Sequence, residues 1–162
     1  MKLNNLALSF CAMVLAISGA NAKDHDGAQS DQEKIAVVME MVEAWNTLDW
    51  QGVVDLFADE GVLHSMMVEP IEGREAIGER IMHLGEGTES ITLNIKHIGV
   101  IDGVVFIERV DEFVFNGHAG KVPVVGVLEI EEGRVKVWRE YYDRQELLEA
   151  MGLAEDFDDD AR

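Results

Sequence analysis

The chain has 162 residues, with 32 acidic against 13 basic side chains and a formal charge of −19. That length suits one domain, and so negative a surface repels phosphate backbones and anionic lipids, which argues against nucleic acid or an anionic membrane as a partner. The single cysteine, Cys11, falls in an N-terminal stretch read below as an export signal, so disulfides, thiolate catalysis and cysteine metal sites are excluded from the mature chain.

"MKLNNLALSFCAMVLAISGANA" has one early lysine, an apolar run from Leu6 to Ile17 and a small-residue end at Ala20-Asn21-Ala22. This is the layout of a secretory signal peptide over 1–22, cleaved after Ala22, and its apolar run is short for a membrane span. The expectation is an exported protein, periplasmic or secreted, with no membrane attachment once the signal is removed; an uncleaved anchor is the alternative. Residues 23–30, "KDHDGAQS", read as a flexible leader. The folded domain is expected over 31–153, and "AEDFDDDAR" over 154–162 reads as a solvated acidic tail.

"DQEKIAVVMEMVEAWNTLD" sets Ile35, Val38, Met39, Val42 and Trp45 at helical spacing, with Asp31 as N-cap. Asp49 caps a second short helix, "WQGVVDLFA", which buries Val53, Leu56 and Phe57. "GVLHSMMV" reads as a short strand. "GREAIGERIMHLG" reads as a third helix, with Ile77, Ile81 and Leu84 on one side and Gly85 at its end. The period then changes to two: "SITLNIKHIGVI" alternates Ile91, Leu93 and Ile95 against Thr92, Asn94 and Lys96. Asp102-Gly103 is a hairpin turn. Strands follow over 104–115, near 121–130 and over 134–142, joined by the loop "NGHAG" and the turn "EEG". "DRQELLEAMG" closes the domain as a helix with Gly152 past its end. Helices followed by hairpin-linked strands predict an α+β fold with a curved antiparallel sheet.

The strand at 104–115 carries charge on both faces. Alternation puts Arg109 and Asp111 beside Val105, Ile107, Phe113 and Phe115. The other face holds Glu108 and Glu112, which share a sign and belong nearer solvent. Arg109 and Asp111 neutralise one another, and two strand residues separate their Cα atoms by about 6.6 Å. A buried pair is weak evidence for stability, because desolvation can exceed the Coulomb gain. On the residues alone two readings stand: a functional pair in an apolar site, or a structural pair at the mouth of the sheet.

Other chemistry is sparse. His64, His83, His97 and His118 lack ligand-like spacing, so no metal is expected, and no phosphate loop or nucleophile motif implies a cofactor. Trp138 either lines a pocket or packs in the core. Over 134–142, Glu140 shares its face with Arg134, Lys136, Trp138 and Tyr142, whereas Val135, Val137 and Tyr141 form a more apolar face. Alternation alone therefore points Glu140 outward, unless a bulge shifts the register.

The stretches "FIERVDEF" and "VVGVLEIEEGRVKVWREYYDRQEL" resemble the limonene-1,2-epoxide hydrolase family, and "DQEKIAVVMEMVEAWNTLDWQGVVDLFADEGVLHSMMVEPIEGREAI" is similar to its helical half. The helical half is shared with the wider SnoaL-like and nuclear-transport-factor-2-like superfamily. The resemblance implies a cone: N-terminal helices packed on a strongly curved, mixed sheet around an apolar pocket, often as a homodimer. It also implies cofactor-free, one-step hydrolysis of a small apolar epoxide, with Asp111 as the acid, Arg109 as the bridge between two carboxyls, and the base at 140. Trp138, Tyr142 and Phe113 would be pocket walls.

The family's base is Asp, and here it is Glu140. The family's Tyr and Asn that hold the attacking water align with Leu63 and Ser65, counted back from Glu72-Gly73-Arg74. Leu63 cannot hydrogen-bond, and Ser65 has a shorter reach than an amide. Two further readings therefore accompany hydrolysis: a SnoaL-like binding module without turnover, and an isomerase or cyclase using Asp111 as acid and base. A homodimer is expected through the outer side of the sheet, over Val135, Val137 and Tyr141 and the face holding Glu108, Val104, Phe106 and Val110.

Overall fold

The computed structural model describes residues 29–153. The expected signal over 1–22, most of the leader and the acidic tail lie outside the described residues. Helix α1 (Asp31–Asn46) starts at a capping box: the Ser30 hydroxyl accepts from the Glu33 N–H, and the Glu33 carboxylate accepts from the Ser30 N–H. Ser30, and not Asp31, is thus the cap, because Asp31 already has helical geometry. The buried stripe is Val38, Met41, Val42 and Trp45, and Met39 is exposed. Position 41 lies three residues after 38 and four before 45, so it shares their face, and 39 does not.

Asp49 caps α2 (Trp50–Asp55), accepting from the Gly52 N–H at 2.9 Å. This helix is shorter than expected and buries Val53 and Val54. Strand β1 (Phe57–Ser65) begins early, so Phe57, expected on the helix, is a fully buried strand residue, and Leu56 is only half-buried. The pair Met66-Met67 lies beyond the strand. After the two-residue β2 (Ile71–Glu72), α3 (Arg74–Gly87) buries Ile77 and Ile81 and runs one half-turn past Gly85. Gly85 instead makes room for an indole: a Cβ there would lie 2.8 Å from Trp50 Nε1.

The remaining strands are β3 (Thr88–Ile101), β4 (Val104–Phe115), β5 (His118–Glu131) and β6 (Arg134–Tyr141), followed by α4 (Arg144–Ala150). Three tight turns join them, at Asp102-Gly103, Asn116-Gly117 and Glu132-Gly133, each with both residues at positive φ. Such primed turns match the twist of the flanking strands. The expected five-residue loop at 116–120 is therefore only a two-residue turn, and β5 starts three residues sooner.

The sheet order is β2-β1-β6-β5-β4-β3. All neighbours are antiparallel except β1 and β6, which run parallel. The result is a curved, unclosed mixed sheet with the N-terminal helices against one face. Its inner face and α1 share the main core, which includes Val38, Met41, Phe57, Ile107, Leu128 and Trp138. A second cluster of Phe113, Phe115, Val122, Val124 and Met151 lies under α4.

On β4 the alternation holds throughout: Val105, Ile107, Arg109, Asp111, Phe113 and Phe115 are buried, and Glu108 and Glu112 are exposed. On β6 it breaks. Ile130 pairs with Val135 but Glu129 pairs with Val137, so Lys136 is an extra residue in β6. This bulge lets Val135 and Trp138, three residues apart, both face the core. Val135 is therefore not part of the outer apolar face expected from alternation, and Glu140, two residues beyond Trp138, points inward.

Candidate active site

Two adjacent-but-one strands, β4 and β6, deliver the charged group to the lining of a cavity of about 190 Å³. β4 supplies Arg109 and Asp111, and β6 supplies Glu140 after its bulge. Arg109 Nε donates to Asp111 Oδ1 at 2.8 Å, and Nη2 donates to Asp111 Oδ2 at 3.1 Å. The same Nη2 donates to Glu140 Oε2 at 2.7 Å and Oε1 at 3.0 Å. One guanidinium thus holds both carboxyl planes, with its side chain only 3% exposed. Its ring neighbour is Trp138, whose centroid lies 5.6 Å from the Arg109 Cζ.

Two buried carboxyls share one positive charge, so the electrostatics are unbalanced by design. Burial raises the Asp111 carboxyl above its ordinary range, and Arg109 opposes that only in part. Glu140 is raised in the same way, by burial first and further by the charge of Asp111. Burial alone would depress Arg109, but the two carboxyls overcome that and hold it firmly charged. Burial thus favours the protonated form of each carboxyl while the shared guanidinium favours the ionised form, the kind of balance that an acid and a base working together require.

The other expected residues converge on the same cavity. Phe113 and Trp138 are buried walls, Tyr142 is half-buried at its rim, and Leu63 and Ser65 line it from β1. Tyr142 Oη donates to Ser65 Oγ at 2.9 Å. Sequence reading passed over Gly126. It faces Glu140 in the β5–β6 register and Ile107 in the β4–β5 register. A Cβ there would lie 2.9 Å from Arg109 Nη1 and 3.1 Å from Trp138 Nε1. Those two nitrogens are buried without a hydrogen-bond partner. A glycine amid a run of valines was the only signal that could have marked it. Among the described residues no group of three His, Cys, Asp or Glu side chains is placed to hold a metal, and no helix is long and apolar enough to cross a membrane.

A curved mixed sheet capped by helices around an apolar cavity is the nuclear-transport-factor-2-like class of fold. Residues 32–152 match the limonene-1,2-epoxide hydrolase catalytic domain, and the chain belongs to that family. The curated "Epoxide hydrolase EphG" of Mycobacterium tuberculosis is 27% identical over 66 residues, a match that covers 41% of this chain and 44% of the relative. Among solved structures, that of an M. tuberculosis LEH-like epoxide hydrolase superposes with a TM-score of 0.67 at 22% identity, covering 75% of this chain and 90% of the other. A Catenulispora acidiphila protein with a ketosteroid-isomerase-like fold gives 0.65 at 22% identity, over 75% and 95% of the two chains. At such identity these two show the fold.

Proposed function

We propose that the protein hydrolyses a small apolar epoxide to a vicinal diol in one step, with no covalent enzyme intermediate. The observation that carries this is Arg109 bridging Asp111 and Glu140 at the floor of an apolar cavity. Family membership supports it. Water bound at Glu140 gives that carboxylate a proton as its oxygen forms a bond to one ring carbon. The bond from that carbon to the ring oxygen breaks, and the oxygen takes the proton of Asp111. The product leaves with both hydroxyls formed, Glu140 protonated and Asp111 ionised. A single proton passed back through solvent restores the resting state. Both carboxyls are raised by burial, so an acid that keeps its proton near neutrality fits this cycle.

Two expectations accompany the chemistry. The protein is exported after loss of residues 1–22, which an intact-mass measurement on secreted material checks. It is also a homodimer through the outer face of the sheet, where Phe106, Val125 and Tyr141 are exposed and Val125 is paired with Tyr141.

The decisive experiment is Asp111→Asn, assayed by diol formation from a small cyclic epoxide. The amide keeps the shape of Asp111 but is no useful acid, so turnover should vanish while circular dichroism and thermal midpoint stay near the parent's. A variant as active as the parent removes Asp111 from the role of acid.

A further inference from the structure

We infer that the acidic segment 154–162 of this chain folds back over the opening of the cavity, setting carboxylates on Arg80 and Arg144 and the Phe157 ring in the apolar mouth. Substrate then enters by displacing it. The inference concerns access to the cavity and stands apart from the reaction proposed above. It starts from a mismatch of charge. The chain has 32 acidic and 13 basic side chains, yet three arginines line the cavity, with Asp111 and Glu140 as the carboxyls beside them. Both of those carboxyls are bonded to Arg109. Arg80 and Arg144 therefore serve something other than the catalytic group, and an apolar epoxide gives them nothing to bind.

Arg80 comes from α3 and Arg144 from α4, so the two reach the cavity from different helices. Both are half-buried, whereas the walls Phe113, Val122 and Trp138 are buried, which puts the two arginines at the opening. The acidic side chains of α4, Glu146 and Glu149, are exposed and do not line the cavity. Beside the arginines the lining is apolar, with Leu84, Leu147 and Met151.

The end of α4 aims the chain at this opening. Gly152, at φ 71°, follows the helix, and the Leu153 N–H donates back to the Leu148 carbonyl at 2.9 Å. Such a turn reverses the chain, and Leu153 packs on the cluster of Phe113, Phe115 and Met151, three residues of the cavity wall. "AEDFDDDAR" then sets carboxylates at 155, 156, 158, 159 and 160 around one phenylalanine. Arg144 lies nine residues before Leu153, about 14 Å at the helical rise. Asp156 to Asp160 lie three to seven residues beyond Leu153, about 10–24 Å of extended chain. An acidic run turned back along α4 therefore spans Arg144. A guanidinium takes a carboxylate through two parallel hydrogen bonds, and Phe157 supplies the apolar part of the match.

The test places a nitroxide at Ala161→Cys in chains that start at Lys23, the expected mature form, which then have one cysteine. Three backgrounds are compared: the parent tail, a neutral tail (Glu155→Gln with Asp156, Asp158, Asp159 and Asp160→Asn), and Arg80→Gln with Arg144→Gln. In the parent the nitroxide should broaden the amide resonances of Leu84 and Leu147 and leave Phe106 on the outer face sharp. The broadening should fade in both other backgrounds, and in the parent at about 0.5 M salt, which screens exposed pairs. Diol formation from cyclohexene oxide gives a second readout. Both variants should raise kcat/KM by about threefold to tenfold, the range that a few exposed ion pairs give, and salt should raise the parent toward them. The inference is overturned if the parent shows no broadening at the mouth, or if the neutral tail broadens it as much as the acidic one. It is also overturned if broadening appears only on an isotope-labelled chain mixed with a separate nitroxide-bearing chain, since a second copy would then supply the segment. If the arginine changes leave the broadening alone and instead weaken an epoxide that carries a carboxylate, the opening serves the ligand and the inference fails. A parent that forms no diol refutes the epoxide reading alone, because the resonances still report where the segment lies.

Discussion

Replacing Arg109 by methionine keeps much of its length and removes its charge, and the consequence should depend on pH in a defined direction. Four hydrogen bonds from this guanidinium end on the two carboxyls. Removing one partner of a buried ion pair costs about 3–5 kcal/mol, because the charge left behind is uncompensated. Both carboxyls already sit above their ordinary values of 3.8 and 4.5 through burial, and Arg109 is what lowers them. Without it they rise further. An acid whose folded value is raised gives its full stability below the unfolded value and loses it as pH climbs through the folded one. At pH 8 the variant should therefore lose the full amount, roughly 12–20 °C in thermal midpoint at about 4 °C per kcal/mol. Near pH 4.5 both carboxyls can hold protons, and the deficit relative to the parent should shrink to a few degrees. Taking the difference from the parent cancels the general acid response of so acidic a chain. Adding Asp111→Asn and Glu140→Gln should recover much of the loss at pH 8, since neither amide ionises. Equal deficits at both pH values would mean that Arg109 acts by packing alone, and the electrostatic account would be wrong.

Gly126→Ala should lower kcat by about tenfold or more and lower the thermal midpoint as well, because the added Cβ also presses on buried Ile107. Its Cβ would lie 2.9 Å from Arg109 Nη1, and the guanidinium is pinned by both carboxyls, so it must tilt away from one of them; a fully active variant would show that the guanidinium has slack. On the outer face, Phe106→Lys with Tyr141→Lys puts charge into the exposed apolar patch. Light scattering should report a monomer, and an unaltered mass for parent and variant would refute assembly through this face.

The site was legible where the physical signal was local. The charged pair on β4 stood out because alternation on that strand is unbroken, so the sequence alone put Arg109 and Asp111 among buried side chains. Glu140 was legible only by resemblance. Its direction depends on Lys136, the extra residue of β6, and a bulge leaves no mark in a period-two pattern. The same bulge moved Val135 from the expected outer face into the core. Errors at element ends have similar causes. The start of β1 at Phe57 follows from its pairing with Val135, a contact made 78 residues later, whereas "WQGVVDLFA" locally continues a helix. Met41 replaced Met39 in the core because an apolar "VVMEMV" run admits more than one helical face, and packing against the sheet selected one. Gly126 was invisible because its role exists only in the close approach of β4, β5 and β6.

Glu140 stands where the resemblance implies an aspartate, and the geometry predicts which way that change goes. If the site were a family site with one residue out of place, Glu140→Asp would restore the usual base and raise the rate. The structure argues the opposite. Both Glu140 oxygens lie within hydrogen-bond distance of Arg109 Nη2, at 2.7 and 3.0 Å. Shortening the side chain by one methylene withdraws the carboxylate by about 1.5 Å, beyond the reach of that bond. Arg109 cannot follow, because Asp111 holds its Nε and Nη2 from the other side. Glu140→Asp should therefore lower kcat on a small cyclic epoxide by about a hundredfold. It should also lower the thermal midpoint, since one buried carboxylate loses its bridge. A variant as fast as the parent or faster would show that Arg109 and β6 shift to meet the shorter acid.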